Sequence, residues 1–227
     1  MKLVIFDCDG TLIDSQHAIV ACMSQAFDTA GLQAPTRAEV LGIVGLSLPE
    51  ALLALAPRES EAVRRQLIDC YREGFVGVRQ RLGEKEHVYE GIAAAIDALS
   101  AREDTVLGIA TGKSKRGVAR LLAQEGWHGR FLTIQTADDH PSKPHPSMIR
   151  QAITEAGVAP TDTVMIGDTS FDMEMARNAS VGALGVSWGY HAPERLARAG
   201  AHAVINNGAD IVSAIDARLE AQRGTQP

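Results

Sequence analysis

The chain has 227 residues and 45% hydrophobic content, enough for one large domain or for a core carrying a modest insertion around a sizeable apolar interior. A formal net charge of −6, with an isoelectric point near 5.6, argues against nucleic acid or an anionic membrane surface as a partner. Cys8, Cys22 and Cys70 are widely spaced with no CxxC pair, which suggests neither a disulfide framework nor a structural zinc site, and no apolar run approaches the roughly 18 residues of a membrane span.

In chain order, the first element is the run Leu3-Val4-Ile5-Phe6, β-branched and aromatic enough to read as a short buried strand. It starts so near the first residue that no signal peptide is expected, and a cytoplasmic, reducing location is the expectation. From about Gln16 to Gly83 the pattern is helical. Ile19, Met23 and Phe27 recur every four residues, Thr36 to Glu39 and Ser47 to Glu50 have capping-box spacing, and Val63, Leu67, Tyr71 and Phe75 make a further apolar stripe. This segment reads as a helical insertion whose connectors lie around Asp14-Ser15 and Gly83 to Gly91. Beyond residue 90, strands are expected at Val106 to Ala110, Phe131 to Gln135, Thr163 to Ile166, Ala183 to Val186 and Ala203 to Ile205. Helices are expected between them at Ile92 to Leu99, Ser114 to Gln124, Ser147 to Ala156 and Phe171 to Ala179. Such alternation predicts an α/β protein, a Rossmann-like parallel sheet covered on both faces, with residues 1–15 and 90–227 as the core and 16–89 as the helical insertion. Gln222 to Pro227 read as a frayed end.

Four clusters fall at or beyond strand ends, where ligands bind in open α/β sheets. Asp7 and Asp9, with Thr11, put two carboxylates one residue apart at the mouth of the first strand, a repulsion that asks for a cation between them. Thr111-Gly112-Lys113-Ser114 follows a strand and opens a helix, so its amides and the helix dipole suit an anion. It is not a nucleotide P-loop, because Gly108 leaves three residues before Gly112 where that motif needs four. Lys143 sits in a loop between Pro141, Pro144 and Pro146, and Gly167-Asp168 is followed by Asp172. Singly, each has a plainer reading: Asp168 and Asp172 as turn formers or caps, Lys143 as a solvated lysine, Asp14 and Ser15 as helix caps, and the seven histidines as structural or surface groups. Together, acids from two strand ends make a hard oxygen site suited to Mg²⁺, while Thr111, Gly112 and Lys143 offer contacts to phosphate oxygens. The combination points to phosphoryl transfer.

As an ordered set, Asp7-Cys8-Asp9-Gly10-Thr11, Thr111-Gly112, Lys143-Pro144 and Gly167-Asp168 with Asp172 resemble the four motifs of the haloacid dehalogenase superfamily. The position of the helical insertion resembles the phosphoglycolate phosphatase-like branch, whose cap follows the first motif. The resemblance implies Asp7 as the nucleophile forming an aspartyl-phosphate, and Asp9 as the acid that protonates the leaving oxygen and then activates water. It also implies Mg²⁺ held by Asp7, Asp9 through its backbone carbonyl, and Asp168, with Asp172 positioning Lys143 or a metal-bound water. Thr111, Gly112 and Lys143 would bind the phosphoryl group. Dehalogenases of the superfamily lack the second acid, so Asp9 argues for a phosphatase of a small phosphorylated substrate. Phosphoglycolate, pyrophosphate, nucleotides and sugar phosphates are the candidates, with a cap arginine (Arg37, Arg58, Arg64, Arg65, Arg72, Arg79 or Arg81) to meet a substrate carboxylate. Gly45-Leu46-Ser47 is similar to the cap loop that faces the site in relatives, with a plain helix-to-helix connector as the alternative. The competing readings are a phosphomutase, a signalling receiver, whose acids are adjacent and which has no cap, and a silent binding protein that keeps the fold.

Overall fold

In the computed structural model, which describes residues 1–82 and 86–224, β1 (Lys2–Phe6) lies at the centre of a six-stranded parallel sheet. After β1 the chain makes β2 (Ile13–Asp14), then α1 (Gln16–Thr29), α2 (Arg37–Leu41), α3 (Leu48–Leu55) and α4 (Glu61–Leu82), and returns through β3 (His87–Val88). The remainder alternates α5 (Ile92–Ser100), β4 (Thr105–Thr111), α6 (Lys115–Glu125), β5 (Phe131–Thr136), α7 (Ser147–Ala156), β6 (Thr163–Gly167), α8 (Ser170–Asn178), β7 (Gly182–Val186), α9 (Pro193–Ala199), β8 (Ala203–Ile205) and α10 (Ile211–Gly224). The strand order β5-β4-β1-β6-β7-β8 puts the ends of β4 and β6 on either side of the end of β1.

Both faces are covered, and β1 shows how. Val4 and Phe6 point to the cluster completed by Ile96 and Leu99 of α5, Leu121 of α6 and Ile215 and Leu219 of α10, while Leu3 and Ile5 point to Met148 and Ile149 of α7, Met173 of α8 and Leu196 of α9. A strand buried on both sides must read as a continuous apolar run, which is what Leu3 to Phe6 is. The helices α1 to α4 gather round a third cluster of their own, with Ile19, Met23, Phe27, Val40, Leu52 and Leu67 at its centre. β2 and β3 pair antiparallel, Ile13 opposite Val88, so the outgoing and returning connectors run side by side.

The expected strands and helices from residue 90 onward are all present, with ends shifted by a residue or two. Two helices escaped the reading, α9 and α10. Gln222 is not frayed: it is buried within α10 and donates from Nε2 to the Thr161 carbonyl, while residues 225–227 and Gly83 lie outside the described residues. Thr36 and Glu39 form their capping box, whereas Ser47 caps α3 by backbone conformation without a side-chain bond. Ser15 likewise makes no side-chain cap bond on α1, for a reason given by the site below. Among the described residues no helix is long and apolar enough to cross a membrane.

Candidate active site

The end of β1 carries Asp7, 1% exposed, whose amide still pairs with the Ile166 carbonyl of β6. One residue beyond the end of β6 is Asp168, and the first turn of α8 carries Asp172. One carboxylate oxygen from each of the three lies within 4.8 Å of the others, all buried. Lys143, equally buried, reaches in from the loop after β5 and places Nζ 2.9 Å from Asp7 Oδ1 and 2.6 Å from Asp172 Oδ1. Three carboxylates thus face one ammonium, an uncompensated negative balance in a dry place.

Each carboxylate is aimed by its surroundings. Asp168 Oδ1 accepts from the Thr11 hydroxyl at 2.9 Å and Oδ2 from the Tyr190 amide at 2.9 Å. The backbone packs against it so closely that a Cβ at Gly10, whose φ is +86°, would fall 2.2 Å from Asp168 Oδ2. Asp172 Oδ2 accepts from the Thr169 amide and hydroxyl at the start of α8, which frees Oδ1 for Lys143. Asp172 is therefore at once the N3 member of the α8 capping box and the partner of Lys143. Asp7 Oδ1 meets Lys143 as an ion pair, and Asp7 Oδ2 has no hydrogen-bond partner among the described residues.

The electrostatics follow from burial. Burial, with the charge of Asp172 added, pushes the Asp7 carboxyl up to about 6, against the pull of Lys143. Burial and the charges of Asp172 and Asp7 push Asp168 well above the ordinary carboxylate range. Burial opposes the charge on Lys143, but Asp172 and Asp7 outweigh it and hold the ammonium above its ordinary value. Two acids that resist ionisation and an orphaned buried oxygen together form a donor set that a hard divalent cation would complete, so these residues fit Mg²⁺.

The remaining expected residues line the same cavity, of about 690 Å³, with Asp7 at its floor. Thr111, at the end of β4, accepts the Lys113 amide at 3.2 Å. Gly112 lies under the loop of the helical insertion, since a Cβ there would sit 2.6 Å from the Leu46 carbonyl. Gly45-Leu46-Ser47 therefore does cover the site, and the Ser47 amide donates to Ser142 Oγ beside Lys143. The carboxylate of Asp9 stands apart from the three: its Oδ1 accepts from Ser15 Oγ at 2.6 Å and from Lys113 Nζ at 2.7 Å. Here is the reason Ser15 leaves its helix uncapped. Of the arginines of the insertion, Arg72 lines the cavity, while Arg37, Arg64 and Arg65 bond to Gln16, to the Glu59 carbonyl and to Glu61. The side chains of Arg79 and Arg81 lie outside the described residues.

Sequence reasoning missed Lys113, Glu86 and Tyr190. His191 is a buried structural group whose Nδ1 accepts from the Ser170 amide, which leaves Nε2–H to donate to the Gly42 carbonyl of the insertion. The signal for Gly189-Tyr190-His191 was its place just beyond a parallel strand, β7.

The model of the haloacid dehalogenase-like hydrolase family matches residues 4–186. The chain is 33% identical over 226 residues to a protein of Dickeya dadantii described as probable phosphatase IndB, covering 96% of this chain and 95% of that one. It is 30% identical over 205 residues to the phosphoglycolate phosphatase of Vibrio vulnificus strain YJ016, covering 86% and 88%. A crystal structure of a hydrolase from Pseudomonas syringae superposes with a TM-score of 0.83 at 23% identity over 96% of this chain and 99% of that one, a likeness of fold.

Proposed function

The chain belongs to the haloacid dehalogenase-like hydrolases, and from that premise we propose that this phosphoric monoester hydrolase is a Mg²⁺-dependent phosphatase acting through an aspartyl-phosphate on Asp7. The observation that carries the reading is the Asp7 carboxylate itself. It is buried at the floor of the cavity, has one oxygen unpartnered, and has an ammonium and two further acids against it.

The roles are those the family resemblance implies, and that placement supports them. An oxygen of Asp7 attacks phosphorus as the bond to the leaving oxygen breaks, and Asp9 gives the leaving oxygen its proton. Asp9 then takes a proton from water, whose oxygen displaces the Asp7 carboxylate from phosphorus and releases phosphate. Thr111, the Gly112 amide and Lys143 grip the phosphoryl oxygens, where a preorganised donor is worth about 3 kcal/mol in comparable sites. Asp7 and Asp168, with the Asp9 carbonyl, would hold Mg²⁺, which screens the repulsion between a carboxylate nucleophile and an anionic phosphate. Asp172 fixes Lys143. Residues 16–89 act as a cap that excludes water from the site, with the β2–β3 ribbon as its root.

The substrate is a small phosphate monoester. Phosphoglycolate is one candidate, but Ile19, Met23, Val44 and Phe75 also line the cavity, so sugar phosphates, nucleotides and pyrophosphate belong in the same screen. The test is phosphate release from such a panel with Mg²⁺ and with EDTA. Metal-dependent release from at least one ester is expected. Isomerisation of a sugar phosphate without release would make the protein a mutase, and tight ester binding without turnover would make it a binding protein.

The titration of Asp7 adds a second expectation. With no divalent ion bound, Asp7 carries a proton below about pH 6, and an entering cation must displace it. The Mg²⁺ dissociation constant is therefore expected to rise at least about tenfold per pH unit below that point. Isothermal titration calorimetry in buffers of different ionisation enthalpy reads both affinity and proton release. An affinity independent of pH through this range would remove Asp7 from the ligands.

A further inference from the structure

Lys113 has no assigned part in the chemistry above, yet it is held as tightly as Lys143. Its side chain is 8% exposed and follows the end of β4, with Nζ 2.7 Å from Asp9 Oδ1 and 3.4 Å from Glu86 Oε1. Burial opposes its charge, but Asp9 and Glu86 outweigh it and hold the ammonium above its ordinary value. The second donor to Asp9 Oδ1 is Ser15 Oγ, itself 3.2 Å from the Tyr190 hydroxyl. Asp9 Oδ2 makes no hydrogen bond among the described residues, and Asp9 lines the cavity. One oxygen of the carboxylate is thus clamped from two sides while the other is left for the cavity.

We propose that Lys113 is a positioning residue that, with Ser15, fixes Asp9 through Oδ1 so that Oδ2 is the oxygen that carries the transferred proton. Glu86 shares the ammonium and anchors it, and Ser15 and Glu86 flank the paired connector strands β2 and β3. Lys113 therefore ties the orientation of Asp9 to the root of the helical insertion. Two chemical reasons favour the arrangement. A free carboxylate side chain samples several rotamers, and proton transfer needs the donor within hydrogen-bond reach of the leaving oxygen. Sharing the ammonium with Glu86 also fixes geometry while Glu86 offsets part of the pull that the cation exerts on Asp9.

This inference rests on the phosphatase reading, and its test separates the two. Phenyl phosphate and p-nitrophenyl phosphate have nearly the same shape, but the phenyl ester releases a poorer leaving group and depends more on the proton from Asp9. For Lys113→Met and for Ser15→Ala, kcat/KM is expected to fall about tenfold further on phenyl phosphate than on p-nitrophenyl phosphate, carried by kcat and not by KM. Lys113→Arg should recover part of the difference. Ser15→Ala is nearly volume-conserving and decides the matter if Lys113→Met does not fold. An equal loss on both esters, or a change confined to KM, overturns the assignment while leaving the phosphatase intact. A wild type that releases phosphate from no ester with Mg²⁺ takes down both.

Discussion

Asp7→Asn is expected to lower turnover by about four orders of magnitude or more, because the attacking atom is removed while the shape is kept. The amide cannot form the proposed aspartyl-phosphate, and no neighbouring group takes its place. Asp168 and Asp172 are held by Thr11, the Tyr190 amide, Thr169 and Lys143, and the carboxylate of Asp9 is turned to Ser15 and Lys113. The same substitution is expected to stabilise the metal-free protein. Neutral pH lies above the folded value of about 6, so Asp7 is ionised in the unfolded chain and in the folded protein alike, and in the folded protein burial and Asp172 penalise its charge. Removing that charge should return roughly 1 to 3 kcal/mol, most at neutral pH and less as pH falls toward the point where wild-type Asp7 is already protonated. Denaturant unfolding without Mg²⁺, alongside rates on the best ester, measures both effects. A variant that keeps its rate ends the nucleophile assignment, and one destabilised at neutral pH shows that the charge of Asp7 was compensated better than its surroundings imply. Opposite signs for activity and stability are the mark of a functional charge kept at a structural cost.

The fold was legible from residue 90 onward because strands buried on both faces must be apolar runs, and Val164, Met165 and Ile166 of β6 are as plain as Val4, Ile5 and Phe6 of β1. Helix α9 was not legible because its seven residues bury just Leu196 and Ala199, too few to show a period. Helix α10 does carry Ile211, Ile215 and Leu219 four apart, a narrow stripe easily passed over beside charged neighbours. In the site, the acids and Lys143 were readable because strand ends in a parallel sheet converge whatever lies between them. Lys113 lies within the Thr111-Gly112-Lys113-Ser114 motif, yet its role is not legible there, since its partner Asp9 lies 104 residues away and a lone lysine carries no sign of its counter-ion. Ser15 read as a cap by its local context, and a tertiary acceptor, Asp9, drew the hydroxyl away. Local rules assign a polar side chain to its nearest backbone, and a functional site is where that assignment fails.

Lys143→Met tests the cluster from its positive side. The side chain is fully enclosed and of similar length, so little packing is lost, but Asp7 and Asp172 lose their shared counter-charge beside Asp168. Breaking a buried ion pair from one side costs about 3–5 kcal/mol, and that cost should appear in the metal-free protein. The cost is borne by the ionised acids, so it should grow as pH rises and shrink as they take up protons. A divalent cation bound by the carboxylates would restore two positive charges. Mg²⁺ at about a hundred times its dissociation constant contributes about 2.7 kcal/mol to a folded state that binds it, and at one fixed Mg²⁺ concentration the gain should be larger in the variant, whose acids bind the cation more tightly, than in the wild type. Activity is expected to stay low even when Mg²⁺ has restored stability, since a cation among the acids does not replace an ammonium on the phosphoryl oxygens. Unfolding midpoints with and without Mg²⁺, at two pH values, read the first effect, and phosphate release reads the second. If Mg²⁺ stabilises the variant no more than the wild type, the three acids are not where the cation binds, and if the variant keeps its rate, Lys143 serves the fold and not the reaction.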